Sequence, residues 1–188
     1  MRRWLGDEAI QQIVFLRYYQ GFSETELERV TNVFPEAEPI ESLPEPCHPG
    51  CFPRGTLVET PSGRRPIESI RQGEALTIVL TSGELATARV QSVFVTENRL
   101  LKVLTAESEL LTTATQPLCL ALGRIAPAGQ LQPTDNILCL HNGAIRSLPV
   151  LEVSPTGRTE KVFNLVLGNS EVFIAGSFLA RSKPPASE

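Results

Sequence analysis

The spacing of hydrophobic and polar positions along this chain changes character twice. Between residues 7 and 19, Ile10, Ile13, Val14 and Tyr18 fall on one face at helical spacing. Ser23 and Glu26 then form a capping box ahead of Leu27 and Val30, so residues 1–34 are predicted to be a helical N-terminal segment of two short helices. From residue 35 to 50 the periodicity vanishes: Pro35, Pro39, Pro44, Pro46 and Pro49 alternate with Glu36, Glu38, Glu41 and Glu45. That composition describes an extended, solvated linker, with its boundary just before Cys51. Beyond it come short β-branched or alternating runs separated by turn residues, the pattern of an all-β domain over residues 51–182. The predicted strands are Thr56–Thr60, Leu76–Leu80, Leu85–Val95, Leu100–Thr105, Leu110–Thr113, Leu118–Leu122, Ile137–Leu140, Ile145–Val153, Val162–Leu167 and Val172–Ala175. Residues 183–188, beginning Lys183-Pro184-Pro185, read as a tail.

An internal repeat underlies the strands. Val79-Leu80-Thr81-Ser82-Gly83 matches Cys139-Leu140-His141-Asn142-Gly143 at an offset of 60, which also lays Val90 on Val150 and Val93 on Val153. One residue of slippage later, Leu101 meets Val162, Leu104 meets Leu165, Leu111 meets Val172 and Ala114 meets Ala175. Each half reads as a hairpin turning at Ser-Gly or Asn-Gly, a long strand and two further strands. Two copies of one β unit predict a pseudo-twofold domain.

Composition narrows the function classes. The chain has 188 residues, 41% of them hydrophobic, and a net charge of -4. It can bury one sizeable core, and without a Lys/Arg cluster it has no grip for nucleic acid. Arg64-Arg65 reads as a turn dipeptide. No apolar run reaches the length of a membrane helix, and Asp7 and Glu8 interrupt any signal-peptide core, so no membrane partner and a cytoplasmic location are expected. Four cysteines, Cys47, Cys51, Cys119 and Cys139, are too scattered for a disulfide scaffold. Cys139 and His141 share a strand face and Cys47, His48 and Cys51 lie close in sequence, but their spacing matches no common zinc motif, so no metal is assigned.

The candidate chemistry centres on Cys51. It opens a strand directly after Gly50, whose carbonyl no side chain shields. A Cys51 thiolate attacking that carbonyl converts the Gly50-Cys51 amide into a thioester. Such a step needs partners: a free thiol has a pKa of about 8.5, and the expelled amine must be protonated, help worth roughly 10²–10⁴-fold.

The stretch from Cys51-Phe52-Pro53-Arg54-Gly55-Thr56 through Pro66-Ile67-Glu68-Ser69-Ile70 resembles the opening motif of the Hint family of inteins, hedgehog processing domains and bacterial intein-like domains. The resemblance covers residues 51 to about 181 and implies a horseshoe-shaped all-β fold built from a duplicated unit. It also implies that Cys51 performs an N–S acyl shift and that no cofactor is needed. The segment Leu111-Thr112-Thr113-Ala114-Thr115-Gln116-Pro117 is similar to the family's second motif, a Thr followed three residues later by His. Thr113 and Pro117 fit that motif, which assigns Thr113 to orienting the scissile amide. Gln116 stands where the His protonates it. A Gln amide can polarise the amide weakly but has no proton to transfer near neutrality. Of the chain's two histidines, His48 and His141, the latter lies within the repeat and is the better substitute acid.

Val162-Phe163-Asn164-Leu165 and Glu171-Val172-Phe173-Ile174-Ala175-Gly176-Ser177-Phe178-Leu179 resemble the family's closing motifs. Ala180-Arg181 occupies the places of the terminal His-Asn, so Asn cyclisation, and with it splicing, is chemically closed. The resemblance therefore implies an autoprocessing domain that cleaves in cis between Gly50 and Cys51, slowly because of Gln116. Its own N-terminal segment is the substrate, with Trp4, Tyr18 and Tyr19 forming an apolar face for the domain or an unknown protein partner. The alternative is a Hint-derived domain that has lost catalysis and serves as a structural or interaction module.

Overall fold

The computed structural model describes residues 51–168 and 171–182. The predicted helices in 1–34, the linker 35–50 and the tail 183–188 lie outside the described residues. Twelve strands follow: β1 Phe52–Pro53, β2 Leu57–Thr60, β3 Gly63–Pro66, β4 Ala75–Val79, β5 Leu85–Thr105, β6 Glu109–Thr112, β7 Pro117–Cys119, β8 Ile125–Pro127, β9 Asn136–His141, β10 Ala144–Leu167, β11 Val172–Ala175 and β12 Phe178–Arg181. Helical structure among the described residues is confined to single 3-10 turns at Ile67–Ser69, Ala121–Gly123 and Ala128–Gln130. No helix there is long and apolar enough to cross a membrane.

The predicted all-β class and duplicated unit are both present. β4 turns into β5 through Ser82-Gly83, and β9 turns into β10 through Asn142-Gly143, with φ of 49° and 78° at the two central residues. That left-handed pair is the turn an Asn-Gly dipeptide favours in a two-residue hairpin. β5 and β10 then pair with each other antiparallel, and Arg99 lies opposite Thr159. Those two residues are related by the repeat's own offset, as residues beside a twofold axis must be. The pairings close a ring, β4–β5–β10–β9–β12–β11 and back to β4. The closing hairpin β11–β12 thus spans both halves. It breaks the symmetry of the outer strands and carries the end of the domain back toward its beginning.

Two strands are longer than the sequence pattern indicates. Leu85–Val95 and Leu100–Thr105 merge into one strand of 21 residues, and Ile145–Val153 and Val162–Leu167 into one of 24. Their middle portions, including Glu97, Arg99 and Gly157 to Thr159, are exposed and carry no apolar alternation for a sequence reading to find. Pairing with the other long strand holds Thr96 to Arg99 and Thr159 to Lys161 extended, whereas Gly157 lies in an unpaired bend with φ of 71°. Pro155 sits at the edge of an irregularity where Pro155↔Leu101 gives way to Thr159↔Arg99, a bulge that accommodates a residue lacking an N–H. Arg64 and Arg65, expected in a turn, lie instead in β3. Arg64 Nε donates to Glu59 Oε1 at 2.6 Å across the β2–β3 ladder, and Arg65 Nη1 donates to Glu74 Oε1 at 2.8 Å. Cross-strand charge pairing stabilises a segment whose composition alone reads as turn.

The main core packs Val58, Ile67, Leu76, Leu118, Ile137 and Phe178, all fully buried, between the two halves. Each such side chain contributes about 1.5–3 kcal/mol on removal from water. Phe52 joins this core edge-to-face with Phe173, ring centroids 5.9 Å apart. Since Phe52 immediately follows Cys51, core packing fixes where the strand opening lies.

Candidate functional site

Cys51 is buried, 1% exposed, against Leu100 of β5 and Val162 of β10. Its main chain is held on both sides by one short stretch at the end of β6. The Cys51 N–H donates to Thr113 Oγ1 at 2.9 Å. The Cys51 carbonyl accepts from Thr112 Oγ1 at 2.8 Å and from the Thr113 N–H at 3.0 Å. Both threonines are essentially inaccessible. Three hydrogen bonds on one buried residue's main chain give a fixed backbone at the place where the sequence puts its nucleophile.

The Thr113 side chain is presented by a turn. The Gln116 N–H donates to the Thr113 carbonyl at 3.1 Å, so Thr113-Ala114-Thr115-Gln116 folds back on itself and brings residues three apart together. A 3-10 turn braces it from outside. The Ala128 N–H donates to the Gln116 carbonyl and the Gly129 N–H to the Ala114 carbonyl, each at 2.8 Å. A Cβ at Gly129 would lie 3.0 Å from Ala114 Cβ, so this close approach of two backbones uses the missing side chain. Nothing in the local pattern around Ala128-Gly129 marks it as a support for the site.

Gln116 is buried, and the two hydrogens of its amide are both engaged. Nε2 donates to the Pro117 carbonyl at 2.9 Å and to the Arg181 carbonyl at 3.1 Å. A primary amide has two N–H donors, so in this arrangement none remains for the amide preceding Cys51. The side chain instead ties the end of β12 to the turn that carries Thr113. Ser182, next in the chain, donates from Oγ to the Leu167 carbonyl at 3.2 Å and from its N–H to the Glu171 carbonyl at 2.9 Å. The last described residues therefore end at the same cluster as the first.

His141 is not brought to Cys51. It ends β9 with Nε2 3.4 Å from Glu107 Oε2, and Arg146 Nη1 lies 2.9 Å from the same carboxylate. Glu107 is in the β5–β6 turn, whereas Cys51 meets the opposite end of β6. At about 3.3 Å per residue the two ends are roughly 16 Å apart. Gly50, His48 and Cys47 lie outside the described residues. Cys119 and Cys139 are buried thiols of the β framework. Burial pushes the Cys119 thiol up to about 11 against the nearby Arg181 charge, and burial together with the Glu107 carboxylate pushes Cys139 up to about 12. Neither is a nucleophile near neutrality. Among the described residues no three His, Cys, Asp or Glu side chains cluster as metal ligands.

Two residues of the site carry no assignment from the sequence motifs. One is Thr112. The other is Asn164: Phe52 pairs with Phe163, so the next step of the register puts Asn164 across from Cys51, and it is buried. A signal for both exists in burial: of the seven buried polar residues described, Thr112, Thr113, Gln116, Asn164 and Ser182 gather on the elements around Cys51. An open cleft of about 510 Å³ lies elsewhere, between Pro53–Leu57, Ser108–Leu111 and Gly176–Ser177, and Cys51 is not in its lining.

Comparison with solved structures identifies the architecture. A bacterial intein-like domain from Clostridium thermocellum matches over 70% of this chain and 98% of its own, with a TM-score of 0.62 and 23% identity. A DnaB intein from Synechocystis sp. PCC 6803 matches over 71% of this chain and 98% of its own, TM-score 0.64, at 18% identity. The TvoVMA intein matches over 70% and 96%, TM-score 0.62, at 14% identity. No protein-family model and no curated protein matches the chain. Residues 51–182 have the Hint-type, intein-like fold.

Proposed function

We propose that this chain is an intein-like autoprocessing domain that cleaves its own backbone between Gly50 and Cys51 without splicing. The observation that carries this reading is the set of three hydrogen bonds from Thr112 and Thr113 to the Cys51 main chain. A buried Cys of purely structural use needs its side chain packed; it does not need its amide and carbonyl clamped by two buried hydroxyls. The intein-like fold and the burial of Cys51 fit a reaction whose substrate is the same chain.

In the proposed step Cys51 Sγ gives up its proton and attacks the Gly50 carbonyl carbon. A carbon–sulfur bond forms, the carbon–nitrogen bond breaks, and the Cys51 nitrogen gains a proton to leave as an amine. The products are a thioester on Gly50 and a new amino terminus at Cys51, and water or an added thiol then releases the N-terminal part. Thr113 Oγ1 holds the N–H of the breaking bond and so sets the plane of that amide. Gln116 supplies no proton, since its amide has none to transfer near neutrality. His141, on Glu107, takes no part. Slow turnover follows from the missing general acid.

A second reading has one specific observation in its favour. Both Gln116 donors hold other carbonyls, which is the behaviour of a structural clip and suits a domain kept for its shape after losing catalysis. Incubating the purified chain with and without thiol separates the two: cleavage that begins a fragment at Cys51 supports autoprocessing, and an unchanged chain supports the inert module.

A further inference from the structure

We infer that Thr112 is a positioning residue for the Cys51 reaction, an inference that rests on the autoprocessing reading above. Attack of Sγ on the preceding carbonyl closes a five-membered ring through Sγ, Cβ, Cα, the amide nitrogen and the carbonyl carbon. Only two soft torsions set whether that ring can close, φ and χ1 of Cys51. The first is a rotation about N–Cα and is fixed only when the groups on both sides of that bond are anchored. Thr113 Oγ1 anchors the N–H side at 2.9 Å. The carbonyl side is anchored by the Thr113 N–H at 3.0 Å and by Thr112 Oγ1 at 2.8 Å.

Of these contacts, the Thr112 hydroxyl is the one placed to resist swinging of the Cys51 carbonyl about the single Thr113 N–H bond. Thr112 is 0% exposed and pairs with Leu101 across the β5–β6 ladder, so its own backbone cannot follow such a swing. Being β-branched, it is stiff at χ1 and holds its hydroxyl in one direction. Reacting atoms must approach within about 3–3.5 Å in alignment, and small misplacements cost rate steeply. Thr112 thus acts through the Cys51 main chain.

The test compares thiol-induced cleavage of the full chain in Thr112→Val, Thr112→Ser and Thr105→Val. Thr105 is also a buried threonine whose hydroxyl holds a backbone, donating to the Ser108 carbonyl at 3.0 Å, but it ends β5 beside the β5–β6 turn, away from Cys51. It controls for loss of a buried hydroxyl as such. Loss of one such hydrogen bond predicts cleavage about three- to tenfold slower in Thr112→Val, with Thr112→Ser within about twofold of the natural chain and Thr105→Val unchanged. Thr112→Ala takes the place of Thr112→Val if that variant does not fold. The inference is overturned, with the autoprocessing reading intact, if the natural chain cleaves and Thr112→Val matches its rate. It is equally overturned if Thr105→Val slows as much, or if Thr112→Ser stays as slow as Thr112→Val. No cleavage in either the natural chain or Gln116→His overturns the autoprocessing reading and this inference together.

Discussion

In Gln116→His, the amide that donates to Pro117 and Arg181 becomes an imidazole. Neutral His has one N–H where Gln has two, so at least one of those carbonyls, held at 2.9 and 3.1 Å in the natural chain, loses its partner. Leaving a buried acceptor unmet costs about 1–3 kcal/mol. For a domain of this size that lowers Tm by roughly 3–10 °C. The rate moves the other way. An imidazole on the braced turn beside Thr113 supplies the proton that the expelled Cys51 amine needs. General acid catalysis of that kind is worth roughly 10²–10⁴-fold, or about 3–5 kcal/mol of barrier. Imperfect placement reduces the gain, so at least about tenfold faster thiol-induced cleavage is expected. The rate should also acquire a pH dependence centred near about 6.5, which the natural chain lacks at this position. The assay is quantitation of the Cys51-initiated fragment by intact mass over time across pH, beside thermal unfolding of the same samples. A lower Tm with an unchanged rate would refute the reasoning, because it would make position 116 structural alone.

Thr113→Val removes the acceptor of the Cys51 N–H while keeping shape; it should slow cleavage about tenfold or more and lower stability by about 1–3 kcal/mol, measured by fragment formation and by denaturant unfolding. Cys119 and Cys139 should resist alkylation in the native domain at pH 8 and react once it is unfolded, as peptide mapping after iodoacetamide treatment will show. Their raised values also carry a sign for stability. The unfolded thiols ionise near their ordinary value of about 8.5 while the folded ones stay protonated to about 11 and about 12, so their contribution is present below that ordinary value and is lost as pH rises from there. Thermal melts between pH 8 and 11 should fall less steeply in a Cys119→Ala/Cys139→Ala variant, and an equal slope would contradict the assignment.

The repeat was visible in the chain because each half carries a turn dipeptide ending in Gly before its long strand, and the fold places Ser82-Gly83 and Asn142-Gly143 in corresponding hairpins, although only the second has positive φ at both residues. The joining of four predicted strands into β5 and β10 was not visible, since Thr96 to Arg99 are extended by pairing with Val162 to Thr159 and present no buried alternating face, while Thr156 to Arg158 form an unpaired irregularity in which Gly157 has φ of 71°. β12 escaped for the opposite reason: Phe178, Leu179 and Ala180 are all buried, a continuous run without alternation. At the site, Cys51 and Thr113 were legible as a motif, and the structure brings them together. The clamp by Thr112 and the brace at Ala128-Gly129 join segments 61 and 15 residues apart, a relation that no local spacing encodes. Likewise the sequence identifies Gln116 as an amide in place of an imidazole, but only the fold shows that amide directed at Arg181.

The most direct test is intact-mass spectrometry of the full chain, natural and Cys51→Ala, incubated over days with and without dithiothreitol. Autoprocessing predicts slow appearance of a fragment beginning at Cys51, faster with thiol and absent in Cys51→Ala. A single unchanged mass under every condition, or equal fragmentation in Cys51→Ala, would contradict it.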